Sequence, residues 1–171
     1  DQEQPFNSLA IKISNEGEVD YSLLSPLRIE DKAFEDSFSD KAFPYTSRNV
    51  KIIRYILSEL EHYDGLGFIV DYLDEDATIE HILPQNLSEG WDIEETKAVQ
   101  FVPRLGNMCL LERKKNTDIK NNSFEDKKLL YSKSCYINTR NIADSYAHWD
   151  DSTICDRQRK MARKAKTIWR I

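Results

Sequence analysis

Apolar residues recur at helical spacing over residues 48–62, where Ile53, Ile56, Leu57 and Leu60 share one face, Ser47 is placed to cap the start, and Gly65 lies just past the end. A second such stretch, residues 152–170, puts Ile154, Gln158, Met161, Ala165, Ile168 and Trp169 near one face. Most of its remaining surface is Arg157, Arg159, Lys160, Arg163, Lys164, Lys166 and Arg170. Between them the pattern shortens. Residues 77–83 and 105–112 are compact apolar runs of strand length, the first stopped by Pro84 and the second entered through Gly106.

The other segments are weaker. Leu9, Ile11 and Ile13 alternate, which predicts a short edge strand in an otherwise irregular stretch broken by Pro5, Gly17 and Pro26. Residues 29–38 predict a short helix, and 66–73 a short helix or strand. Asp74, Glu75 and Asp76 form a solvated turn. Residues 86–104 are an excursion between the two runs, anchored by Trp91 and carrying a helix over 93–101 capped by Asp92 and ended by Pro103. Further helices are expected over 124–133 and 138–149. The fold expected is α+β, a mainly helical domain with a two-stranded element embedded in it.

Composition narrows the class. The chain has 171 residues, 40% hydrophobic and 32% charged, which suits a folded domain rather than a disordered chain. No apolar run approaches the roughly 18 residues a membrane span needs, and no charged-apolar-small leader is present, so a cytoplasmic protein without a membrane partner is expected. The chain begins at Asp1 without a methionine, which suggests a piece of a longer protein. Cys109, Cys135 and Cys155 are widely spaced, and the expectation is small buried thiols in a reducing compartment. The net charge is −6, but residues 156–171 hold seven Lys/Arg against one Asp, a net of +6 that leaves −12 for the rest. A local basic face suffices for phosphate contact.

One place concentrates chemistry. Glu80 and His81 end the first run, and Asn107 and Asn116, nine residues apart, bracket the second. Phosphodiester hydrolysis needs a base for water, charge near the phosphate, and a fixed orientation for the base. His81, with an ordinary pKa of about 6.5, suits the base. Glu80 and Asn116 offer oxygen ligands to a hard cation, and Asn107 can hold the loop or His81 by hydrogen bonds. Glu80 and His81 would leave an ideal strand on opposite faces, so sharing one site requires a bend there. The histidine at the end of the 48–62 helix, His62, has a simpler explanation in the helix dipole. Lys114, Lys115, Lys120 and Asn121, together with Arg157, Lys160, Arg163 and Lys164, are candidates for DNA phosphate contact. Read without any resemblance, His81 is a satisfied core histidine, Asn107 a turn former and Asn116 a helix cap.

Glu80-His81-Ile82-Leu83-Pro84-Gln85 resembles the Asp/Glu-His-hydrophobic-x-Pro signature of HNH nucleases, and Asn107 and Asn116 match its second and third positions. Gly106-Asn107-Met108-Cys109-Leu110-Leu111, then Asn116, Asn121-Asn122-Ser123-Phe124 and Lys127, is similar to a more particular pattern. It is that of the C-terminal nuclease domain of GmrSD-type, modification-dependent restriction endonucleases, a domain also found in phosphorothioation-linked antiphage proteins. The helix containing Arg54, the Trp149 position and the stretch from Arg157 to Trp169 extend the resemblance over roughly residues 30–170.

The resemblance implies a ββα-metal (HNH, His-Me finger) core at about 77–133, C-terminal helices at 138–170, and a domain over 30–171, with 1–29 as a linker or edge segment. It implies a DNA endonuclease using Mg2+ or a similar ion such as Mn2+, with His81 as base, Asn107 organising, and Glu80 and Asn116 as metal ligands. A sensor domain that binds nucleotide would precede it, and no P-loop pattern occurs in this sequence. Two departures matter: Glu stands where Asp is common, and Asn where His is common. A non-catalytic DNA-binding or interaction module, and a ribonuclease, are the alternatives.

Overall fold

The computed structural model describes residues 3–65, 70–88 and 90–169. Part of the expected element at 66–73, residues 66–69, and Arg170 lie outside the described residues. The chain divides into two units, Asp1–Phe34 with Ile171, and Glu35–Arg170.

In the first unit, helix α1 (Glu3–Glu16) stands where an edge strand was expected. Three alternating apolar residues are too few to distinguish the two periods. The half-buried positions are Pro5, Leu9 and Lys12, at helical spacing, while Ile11 and Ile13 are exposed. Pro5 is tolerated because the first turn has no intrahelical partner for its missing N–H. A 3₁₀ turn (Tyr21–Leu27) follows, capped by Asp20, whose carboxylate also takes Lys12 Nζ at 2.8 Å. The unit boundary falls within helix α2 (Asp31–Asp40).

The second unit is mainly helical around one small sheet. Helix α3 (Ser47–Asp64) buries Ile53, Leu57 and Leu60 as the spacing predicts. Its cap is Thr46 rather than Ser47, with Oγ1 accepting the Asn49 N–H at 3.3 Å. Strand β1 (Ala77–His81) pairs antiparallel with β2 (Met108–Glu112), in a register that sets Glu80 opposite Cys109 and His81 opposite Met108. Both strands are shorter than their apolar runs. Ile82 and Leu83 leave β1 in a bend, and Leu105–Asn107 form a 3₁₀ turn ahead of β2. Helix α4 (Glu95–Phe101) lies between them, starting after Glu94 with no side-chain cap, not at Asp92.

Directly after β2 comes a helix that periodicity did not predict, α5 (Arg113–Ile119), with one buried apolar residue, Ile119. Helices α6 (Phe124–Tyr131), α7 (Ile137–Ser145) and α8 (Asp151–Ile168) complete the unit. One core cluster gathers Ile53, Leu57, Leu60, Ile79, Met108, Leu110 and Met161. The other gathers Ile82, Leu83, Cys109, Leu111, Tyr131, Trp149 and Ile154, with Trp91 packed at its edge. Alternation along the strands thus feeds both cores. Of the cysteines only Cys109 is buried; Cys135 is exposed and Cys155 half-buried. Among the described residues no helix is long and apolar enough to cross a membrane.

Candidate active site

β1 stays regular through His81, so Glu80 and His81 leave it in opposite directions. Glu80 points to α6 and is 5% exposed. Its Oε1 accepts Lys127 Nζ at 2.6 Å and the Tyr131 hydroxyl at 2.9 Å. Lys127 Nζ donates also to the His81 carbonyl at 2.9 Å and lies 5.8 Å from the Trp91 ring centroid. Burial pushes the Glu80 carboxyl upward, against the Lys127 ammonium and Tyr131 hydroxyl that favour its charged form. Burial and the neighbouring carboxylate raise Tyr131 well above its ordinary range, so it acts as a donor.

His81 turns the other way. Its ring meets Tyr45 edge-on, with centroids 5.2 Å apart. Nε2 is buried and has no hydrogen-bond partner. Burial, and then the charge of Lys127, lower its pKa to about 4, so the imidazole is neutral at neutral pH with an unused nitrogen.

Asn107 is fully buried and sits behind the bend that follows His81. Its Oδ1 accepts the Leu83 N–H at 2.7 Å and Trp149 Nε1 at 3.0 Å. Its Nδ2 donates to the carbonyls of Leu83 at 2.9 Å and Val102 at 3.3 Å, and its own carbonyl accepts the Ile82 N–H at 2.9 Å. One side chain thereby satisfies the backbone where β1 stops. Trp149→Phe removes one of these bonds and is expected to destabilise the fold by about 1 kcal/mol, measured by chemical denaturation.

Asn116 lies on α5 and reaches back to β1, donating Nδ2 to Thr78 Oγ1 at 2.8 Å and to the Ile79 carbonyl at 3.1 Å. The structure thus brings Asn107 and Asn116 to β1 and its end, and Glu80 and His81 to opposite sides of it. It does not converge Glu80, His81 and Asn116 on one point. Among the described residues no group of three or more His, Cys, Asp or Glu is arranged to hold a metal ion. A hard cation collects several oxygen ligands. The Glu80 oxygen that receives Lys127 and Tyr131 is engaged, and Asn116 faces the strand with its nitrogen. As they stand, these residues do not fit a metal centre.

The expected phosphate-contacting residues separate by placement. Lys114, Lys120, Asn121 and Arg163 are exposed. Lys115 is engaged by Glu112 at 2.5 Å and the Lys133 carbonyl at 2.8 Å. Lys160 pairs with Asp156 at 2.7 Å and Lys164 with Asp64 at 2.6 Å. Arg157 corrects the expected basic face: it is 7% exposed, and its Nη1 donates to the carbonyls of Gly106 at 2.7 Å and Met108 at 2.8 Å. It sits between Ile154 and Met161 on the apolar stripe of α8, which is why it turns inward.

Lys120 has a φ of +43°, uncommon for a side chain with a Cβ. Lys120→Gly is expected to raise stability by about 1 kcal/mol, read as a higher thermal midpoint.

Sequence reasoning gave Lys127, Tyr131 and Tyr45 no role in the site. A signal was present: Phe124, Lys127 and Tyr131 follow one another at helical spacing along one face of α6, and a lysine in an apolar stripe requires a buried partner.

Fold and site define an α+β domain in which a two-stranded sheet, clamped by asparagines and helices, presents one unpaired histidine at a strand end. The family model for the C-terminal domain of the GmrSD restriction endonucleases matches residues 28–164, and the chain belongs to that family. Membership implies nuclease activity and DNA as the substrate class. No curated protein matches the chain to add a second comparison.

Proposed function

We propose that this domain is the DNA-cleaving effector of an antiphage restriction protein, an HNH-type endonuclease built on β1, β2 and α5, with His81 as its general base. The observation that carries the reading is the buried, unpartnered Nε2 of His81 at the end of β1. Leaving such an atom unpaired is unfavourable unless it has a use, and a neutral imidazole nitrogen accepts a proton from water. In the proposed step, His81 takes that proton as the water oxygen bonds to phosphorus. The phosphorus–oxygen ester bond breaks, and the leaving oxygen is protonated by solvent. Tyr45, which meets the ring edge-on, is 54% exposed, so the His81 ring lies against a surface side chain.

Asn107 keeps the bend after His81 in place, and the exposed Lys114, Lys120 and Arg163 are the proposed phosphate contacts. A divalent ion, Mg2+ or Mn2+, supplies Lewis-acid charge at the phosphate in chemistry of this kind. Glu80 and Asn116 as placed do not form its centre, and the step above belongs to His81. The proposal includes action in the cytoplasm, with target selection by a separate nucleotide-binding sensor domain.

Incubating the domain with supercoiled plasmid and with structured RNA, each with Mg2+ or Mn2+, tests the reading. Nicked plasmid and intact RNA are expected. Cleavage of RNA alone, or of neither, rejects it.

A further inference from the structure

The cation beside Glu80 is already in place. Lys127 is fully buried, and its ammonium bonds the Glu80 carboxylate at 2.6 Å and the His81 carbonyl at 2.9 Å. Tyr131 fills a second direction of the same carboxylate oxygen at 2.9 Å. Whichever partner holds the proton, the pair has no net charge, so it presents no net negative charge to a metal. A divalent ion entering at Glu80 would meet a carboxylate already neutralised by a buried ammonium at 2.6 Å, and drawing the carboxylate away would leave that ammonium in the core without its charge partner, which is strongly unfavourable.

We infer that Lys127, not a divalent ion, is the cation held by Glu80, and that Glu80, Lys127 and Tyr131 are positioning residues that fix the end of β1 behind His81. The inference rests on the nuclease reading for the meaning of the site, not for its geometry. Lys127 carries the connection because its one ammonium joins the Glu80 side chain to the His81 backbone. The contact with Trp91 closes the ammonium off from another side. A divalent ion that takes part in cleavage then finds its ligands elsewhere, with substrate phosphate among them.

The test is metal binding, read without cleavage. The 171-residue chain, its Glu80→Gln, Lys127→Met and paired Glu80→Gln/Lys127→Met variants are titrated with Mn2+, and free Mn2+ is followed by electron paramagnetic resonance. Circular dichroism reports folding. Glu80→Gln is expected to leave Mn2+ affinity within about threefold of the unaltered chain, since Glu80 is not a ligand. Lys127→Met is expected to tighten binding by about tenfold or more by uncovering the carboxylate, and the paired variant to lose that gain. An unaltered chain that binds no Mn2+ also agrees with the inference.

Weakening by more than about threefold in Glu80→Gln, or no gain in a folded Lys127→Met, overturns it. Should Lys127→Met not fold, the Glu80→Gln comparison decides alone. Plasmid nicking by the unaltered chain is scored in parallel. Its absence counts against the nuclease reading and does not alter the Mn2+ result, so the two failures are distinguishable.

Discussion

Replacing His81 by alanine is expected to slow DNA nicking by about 10²–10⁴-fold, the usual contribution of a positioned general base. Single-turnover nicking of supercoiled plasmid measures it, with gel-shift binding and a thermal melt as controls. Folding and DNA binding should persist. Nε2 of His81 has no hydrogen-bond partner, and the ring meets the exposed Tyr45 edge-on. Truncation also removes a buried nitrogen that has no partner, which offsets part of the lost packing. A variant that nicks at the unaltered rate would end the proposal.

The same residue links stability to pH. Its pKa is lowered from 6.5 to about 4 on folding, by burial first and the Lys127 charge second. Between those values the unfolded chain binds a proton that the folded chain does not. The contribution is therefore fully present above pH 6.5 and is lost as pH falls toward 4. The loss over that window is of the order of 3 kcal/mol. His81→Ala should flatten that part of the stability curve, which separates a buried neutral ring from one that is charged in the folded state.

How legible the molecule is in its sequence depends on which kind of signal is asked for. The faces of α3 and α8 follow from spacing because many residues vote on one period. The ends of β1 and β2 do not, because Ile82, Leu83 and Leu105 are buried in turns as thoroughly as in strands. α1 was hidden because three apolar residues fit two periods. At the site, the order of Glu80, His81, Asn107 and Asn116 was visible, and so was the need for a bend if Glu80 and His81 were to share a site. The bend comes one residue too late for that, at Ile82.

Arg157 and Lys127 carry the sharper lesson. Each is a cation on an apolar stripe, one read as a surface charge and the other given no role. Each is instead buried, the first against two carbonyls and the second against Glu80. Charge counts along a helix cannot reveal this; position on the stripe can.

Gly106→Ala is expected to destabilise the domain by about 3–5 kcal/mol, combining overpacking with disturbed buried hydrogen bonds. The reason is space, not backbone freedom. A Cβ there would lie 2.3 Å from the Ile154 carbonyl oxygen, 2.9 Å from Gln158 Cβ and 3.2 Å from the Gln158 nitrogen. Two of these three are backbone atoms of α8, so relief requires the helix to move. That helix is tied at the same place, with Gln158 Oε1 accepting the Gly106 N–H at 3.1 Å and Arg157 donating to the Gly106 carbonyl at 2.7 Å. Gln158 Nε2 also binds the carbonyls of Phe38 and Lys41, each at 2.8 Å, so a shift spreads to the segment before α3. Denaturant unfolding measures the loss, and an unchanged midpoint would refute the steric argument.

A second variant sharpens it. Gln158→Ala added to Gly106→Ala should not restore stability, because the closest clash is with a carbonyl that no side-chain truncation removes. Asn107 follows Gly106 directly, so displacement there reaches the clamp on Leu83 and, through it, the bend that holds His81. Whatever folded fraction of Gly106→Ala remains is therefore expected to nick DNA more slowly per folded molecule than the unaltered chain.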